Sequence, residues 1–188
     1  PRRTVLHLAQ GAFGPLRYEA TLTYAIFPGS FRSELSLLSR SEQPMPFGLG
    51  FHPWFPRDAD TRLAFAASGV WKEDACHLPA SESPAPVPEE WDFSAGRALP
   101  EAWINNGFDG WDGVLRIEQG KAGVSVAVTA SSLLSTLIVF SPEATAGFFC
   151  AEPVSHPVDA HNLPGMPGLV TLAPGNDLWA AMEIEWTI

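Results

Sequence analysis

The sequence has little positive charge, almost no cysteine and no long apolar run. Lysine and arginine total 11 against 21 acidic residues in 188, a formal net charge of −10. That balance argues against nucleic acid and against an anionic membrane surface as partners, because both are bound chiefly through cationic side chains. It also weakens the case for a phosphorylated substrate and leaves neutral ligands open. Cys76 and Cys150 lie in no C-x-x-C pattern and allow one disulfide at most, so a reducing cytoplasmic setting is the expectation. No apolar run reaches the ~20 residues of a membrane-spanning helix. The opening PRRTVLHLAQGAFG has no sustained apolar stretch after its arginines and does not read as a signal peptide. The first residue is a proline, so a processed, trimmed or incomplete chain end is expected. No segment holds a 3.6-residue apolar period, and no G-x-S-x-G marks a serine hydrolase.

What is present is a strand pattern. Apolar residues make up 46% and charged residues 17%, enough for one domain with a real core. Sixteen glycines and 18 prolines cut the chain into short pieces. RYEATLTYAIF (17–27), FRSELSLLSR (31–40), GVSVAVTA (123–130) and LWAAMEIEWTI (178–188) alternate with a period of two. TLIVFS (136–141) and GFFCAE (147–152) are continuous apolar runs, which suits strands covered on both faces. FPGS (27–30) and EQGKAG (118–123) read as hairpin connections. The fold class expected is all-β, a large antiparallel sandwich formed as one domain over 1–188. LPASESPAPVPEEWDFSAGRALPEAW (78–103) lacks alternation and is expected as a long surface loop inside that domain.

Three stretches carry candidate chemistry. In FGLGFHPWFP (47–56), two glycines precede His52 and two prolines follow it, with four large rings around it. Pro53 forces His52 towards an extended backbone, so the imidazole is pre-positioned. A core histidine with one satisfied hydrogen bond is the plain alternative. In FFCAEPVSHPVDAHN (148–162), Glu152 leaves an apolar run just before Pro153. A carboxylate that is partly desolvated and still reachable suits a general base; a glutamate paired with an arginine at a sheet edge is the alternative. WINNGFDGWDG (103–113) mixes amides, carboxylates and rings, which suits a polyol, or equally a hairpin loop. Collecting His52, Cys76, His77, His156 and His161 into a zinc site finds no strong ligand spacing, so no metal is expected. His7 and His77 read as exposed or structural.

Taken in order, PMPFGLGFHPWFP (44–56), INNGFDGWDG (104–113) and CAEPVSHPVDAHN (150–162) resemble the aldose 1-epimerase, or galactose mutarotase-like, family. The closing LPGMPGLVTLAPGNDLWAAMEIEW (163–186) is similar to that family's ending. The resemblance implies a mutarotase-type β-sandwich and a single reaction: acid–base opening and closure of a free aldose ring that interconverts α and β anomers. It implies His52 as general acid and Glu152 as general base. It places Asn105 where the family usually has a sugar-binding aspartate, with Trp54, Phe108 and Trp111 as ring-face contacts. It implies no cofactor. The partners to consider are a hexose aldose and a second copy of the chain. The family's first third, which supplies an arginine and a further histidine, has no counterpart here, so the chain is expected to be the C-terminal two thirds of the family domain. A carbohydrate-binding relative without turnover and a hexose-phosphate 1-epimerase are the alternatives. An acid and a base serving one sugar are expected several ångströms apart, with the ring between them.

Overall fold

The structure is a computed structural model and describes residues 2–188. Fifteen strands account for its architecture, and the only helices among the described residues are two single 3-10 turns, Glu89–Trp91 and Ala160–Asn162. The strands are β1 (Arg2–Phe13), β2 (Leu16–Phe27), β3 (Ser30–Ser39), β4 (Met45–Phe47), β5 (Trp54–Pro56), β6 (Thr61–Ala64), β7 (Gly69–Trp71) and β8 (Arg97–Ala98). They continue with β9 (Ile104–Asp109), β10 (Val114–Gln119), β11 (Val124–Ala130), β12 (Thr136–Ser141), β13 (Phe148–Val154), β14 (Val170–Leu172) and β15 (Asp177–Thr187). An eight-stranded sheet runs β1-β2-β3-β15-β11-β10-β6-β8, a five-stranded sheet runs β5-β13-β12-β9-β7, and β14 pairs with β4. Every strand pairing is antiparallel.

The alternating segments form the large sheet and the continuous apolar runs form the centre of the small one, as their patterns require. In β10, Leu115, Ile117 and Gln119 are buried while Val114, Arg116 and Glu118 between them are exposed. The inner faces of the two sheets meet in one apolar cluster. Leu63, Leu115, Ile117, Val128 and Met182 come from the large sheet; Phe108, Leu137, Val139, Phe149 and Ala151 come from the small one. A second cluster, around Leu37, Phe47, Leu49, Leu134 and Leu172, lies beneath the β4–β14 pair, and Phe51 packs against both clusters. Each fully buried chain of this size contributes about 1.5–3 kcal/mol, which is why the sequence can spare so many glycines and prolines elsewhere.

The segment expected as a surface loop is more than that. Phe93 is fully buried against Phe65 and Phe108, with ring centroids 5.0 and 5.7 Å away, and Leu99 is buried as well. The backbone crosses the surface, but two apolar side chains anchor it in the main core. Among the described residues no helix is long and apolar enough to cross a membrane.

Candidate active site

His52 is placed by backbone pairing on both sides of it. Before it, Gly50 bridges to Val154, Leu49 N donates to Ser155 Oγ at 3.0 Å, and Phe51 N donates to the Pro153 carbonyl at 2.9 Å. After it, Trp54 pairs with Cys150 and Phe55 with Phe149 on β13. The two residues between these anchor points, His52 and Pro53, stand off the ladder beside Glu152, and Pro53 keeps His52 extended. Gly48 is needed for a close approach: a Cβ there would lie 2.0 Å from the His156 ring. His156 itself is locked by a 2.8 Å contact from Nδ1 to the Pro157 carbonyl. The first and third sequence stretches are thus one zipper, and the aromatic crowding around His52 is its packing.

Strand parity decides what faces outwards. Residues directly opposite in an antiparallel pair share a face. Trp54, Cys150, Phe140 and Asn105 form one row across the five-stranded sheet; Glu152, Ile138, Gly107 and Trp71 form the next. This is the face turned away from the core. Trp54 is 61% exposed on it and stacks on Phe148 at 4.4 Å; Phe148 leads to Phe140, and Phe140 to Trp103, through centroid distances of 6.2 and 5.2 Å. Asn105 and the His52–Glu152 pair therefore share one surface, two strand spacings across and two residues along, ~12 Å.

Parity also corrects two expected sugar contacts. Phe108 lies opposite Leu137 and Val70 on the inner face and is fully buried in the core. In β9 the outward positions belong to Asn105, Gly107 and Asp109, and the aromatic between them must point inwards. Trp111 lies beyond the strand, is buried in the same core, and donates its indole N–H to the Val114 carbonyl at 2.9 Å. Neither ring reaches the open face. Trp54 does.

The expected separation of acid and base is corrected too. His52 Nε2 lies 3.1 Å from Glu152 Oε1, within hydrogen-bond distance. The imidazole is 58% exposed and the carboxylate 12%. A shielded carboxylate requires a donor, and this imidazole is the one in reach. Burial pushes the Glu152 carboxyl above the ordinary glutamate range, and the nearby His52 partly offsets that rise. Burial, with a smaller contribution from Glu152, pushes the neighbouring Cys150 thiol up to about 11. The arrangement joins an exposed proton donor to a carboxylate with raised proton affinity, which is what reversible proton transfer at one centre demands. Donor atoms of His52, Cys150 and Glu152 lie within 4.8 Å of one another and are the residues that could hold a metal ion, although the sulfur they offer is buried and protonated.

Glu73 was not singled out by the sequence, and His77 was read there only as exposed or structural. Glu73 accepts from Asn105 Nδ2 at 3.0 Å, lies 2.9 Å from His77 Nδ1, and accepts the Trp103 indole N–H. These partners come from segments some thirty positions apart, and no local motif announces them. Arg57, the cation just past the first stretch, is committed elsewhere: it donates to the Pro100 carbonyl at 2.8 Å, the Glu143 carbonyl at 3.0 Å and the Ser141 hydroxyl.

This fold, with an acid–base pair on the open face of its smaller sheet, falls among the mutarotase-type sandwiches. The sequence model of the aldose 1-epimerase family matches residues 3–185, and the chain belongs to that family. It is 34% identical over 181 residues to the uncharacterized protein YphB of Escherichia coli (strain K12), covering 92% of this chain and 62% of that protein. Among solved structures, a protein of Escherichia coli K12 provisionally described as an aldose 1-epimerase superposes with a TM-score of 0.90 at 30% identity, over 98% of this chain and 65% of the other. A galactose mutarotase-like protein of Clostridium acetobutylicum gives 0.83 at 17% identity, over 98% and 62%, a likeness of fold. The chain thus spans a little under two thirds of the length of these relatives.

Proposed function

We propose that the protein is an aldose 1-epimerase acting through Glu152 as general base and His52 as general acid. The observation that carries this reading is the 3.1 Å His52–Glu152 pair on the open sheet face of a chain that belongs to this family. The anomeric hydroxyl oxygen and the ring oxygen are both bonded to C1. The acid and the base therefore have to straddle one carbon, not a whole ring, and adjacency serves the chemistry. Glu152 removes the proton from the anomeric hydroxyl, His52 gives one to the ring oxygen, and the C1–O5 bond opens. Rotation about C1–C2 and closure on the other face of the aldehyde exchange the anomers. Closure runs the same transfers backwards: His52 takes the proton of the C5 hydroxyl, Glu152 gives its proton to the carbonyl oxygen, and both groups are restored.

The chain acts here as one domain, on a small sugar as partner. Asn105 binds a sugar hydroxyl as both donor and acceptor, and Trp54 covers a C–H face. A phosphorylated sugar fits less well, since Arg57 is already spent on three acceptors. Polarimetry of freshly dissolved α-glucose and α-galactose tests the reading. Acceleration that is lost in Glu152→Gln supports it. Binding of aldoses with mutarotation left at its spontaneous rate replaces the enzyme with a carbohydrate-binding relative.

A further inference from the structure

The acid–base step leaves a second polar cluster on the same face unused. Glu73 is shielded, with 17% of its side chain exposed, and it gathers donors from three segments: the Trp103 indole, the Asn105 amide and the His77 ring. His77, by contrast, is 61% exposed and stacks on Trp103 with centroids 5.2 Å apart. Its Nδ1 faces Glu73, which leaves Nε2 turned to other partners. His77 also has a φ of 62°, a left-handed backbone that a non-glycine residue adopts at a cost. The neighbouring turn is fixed by Asp74, whose Oδ1 accepts from Cys76 N at 2.7 Å and Leu78 N at 3.1 Å. A strained residue, an exposed indole against an exposed imidazole, and a carboxylate that holds both in place make a fixed, solvent-facing platform of two tilted rings.

We propose that Trp103, His77 and Glu73 form a subsite for a second sugar ring, so that the preferred substrate is a free aldose carrying a further sugar unit at its end away from C1. This rests on the reading of His52 and Glu152 as the C1 site. The spacing supports it. Asn105 stands two strand spacings across and two residues along from Glu152, ~12 Å, and a pyranose is about one spacing wide. A single ring over Ile138 and Phe140 reaches Asn105 at its far side and stops there. The indole and imidazole lie beyond it, along the row of rings that begins at Trp54. An aromatic face with a free ring nitrogen beside it is what a further pyranose needs: cover for its C–H face and one hydrogen-bonding partner for a hydroxyl.

The experiment compares glucose with maltose, cellobiose and lactose on the full-length protein, by isothermal titration calorimetry and by polarimetry. The expected result is that at least one disaccharide binds about tenfold more tightly than glucose, the size of one good contact. Trp103→Ala or His77→Ala should bring that ratio to about one. Each ratio is internal to one sample, so a variant that is partly unfolded does not distort it. The proposal is overturned if no disaccharide exceeds glucose in the unaltered protein, or if the ratio survives in both variants. If the protein accelerates mutarotation of none of these sugars, the acid–base reading fails by itself, and the calorimetric ratio still judges the subsite.

Discussion

Two histidine–glutamate pairs sit on one sheet face, and they are built alike. In each the imidazole is exposed, the carboxylate is shielded, and the ring lies against a tryptophan: His52 on Trp54 at 5.9 Å, His77 on Trp103 at 5.2 Å. The number of donors separates them. Glu73 receives three, whereas among the described residues Glu152 has His52 alone as side-chain partner. A carboxylate whose lone pairs are taken serves as a bracket. One that is short of donors and buried has its proton affinity raised and serves as a base. The residue types are identical; the surroundings assign the work.

The largest test of that contrast is the same substitution at both glutamates. Glu152→Gln should remove the acceleration of mutarotation by about 10²–10⁴-fold, the range of a lost general base. Glu73→Gln should leave it within about tenfold when glucose is the substrate, since no proton moves there. Equal losses in polarimetry would erase the distinction. His52→Asn should slow turnover by roughly 10²-fold while aldose binding persists in calorimetry, because the acid acts as the bond breaks.

The pH dependence sharpens the same point. The rate should fall on the acid side as Glu152 is protonated, with a midpoint above the ordinary glutamate value because burial raises it. Stability follows the opposite course. The folded state favours the protonated carboxyl, so the contribution of Glu152 is fully present below its unfolded pKa, about 4.3, and is lost as pH rises through the raised folded value. Denaturation curves of the unaltered protein and Glu152→Gln should therefore diverge over that window, in favour of the variant. Glu73→Gln should cost about 1 kcal/mol at neutral pH by leaving a donor unmatched. The smallest effect belongs to Cys150→Ala: a thiol held near 11 is no nucleophile, so the acceleration should stay within about threefold.

Much of this was legible in the sequence, and the exceptions have physical causes. The long alternating segments became β2, β3, β11 and β15 within a residue or so, because a two-residue period forces one face inwards. Proline and glycine chemistry drew notice to His52 and Glu152 but left a core histidine and an edge glutamate open; the expectation that they share one site came from the resemblance, and the fold brings them to 3.1 Å. Phe108 and Trp111 misled because an aromatic beside amides suits a sugar site as well as a core. The parity of Asn105, Gly107 and Asp109 was the signal that separates the two. Phe93 was hidden in a proline-rich stretch where a lone buried ring has no periodic neighbours. Glu73 went unread and His77 read only as exposed or structural, since the partners of both, Trp103 and Asn105, are brought to them only by the fold.

The stacking of Trp54 on His52 has an optical consequence. The rings lie 5.9 Å apart at 20°, and the indole is the more exposed partner. An imidazolium cation over an indole is drawn to its π face and quenches its emission, whereas the neutral ring does so far less. The protein therefore carries a built-in light signal for the proton on its acid. A drop in the Trp54 emission whenever His52 holds its proton, absent in Trp54→Phe, would let that proton be followed on the timescale of turnover, with no dye attached.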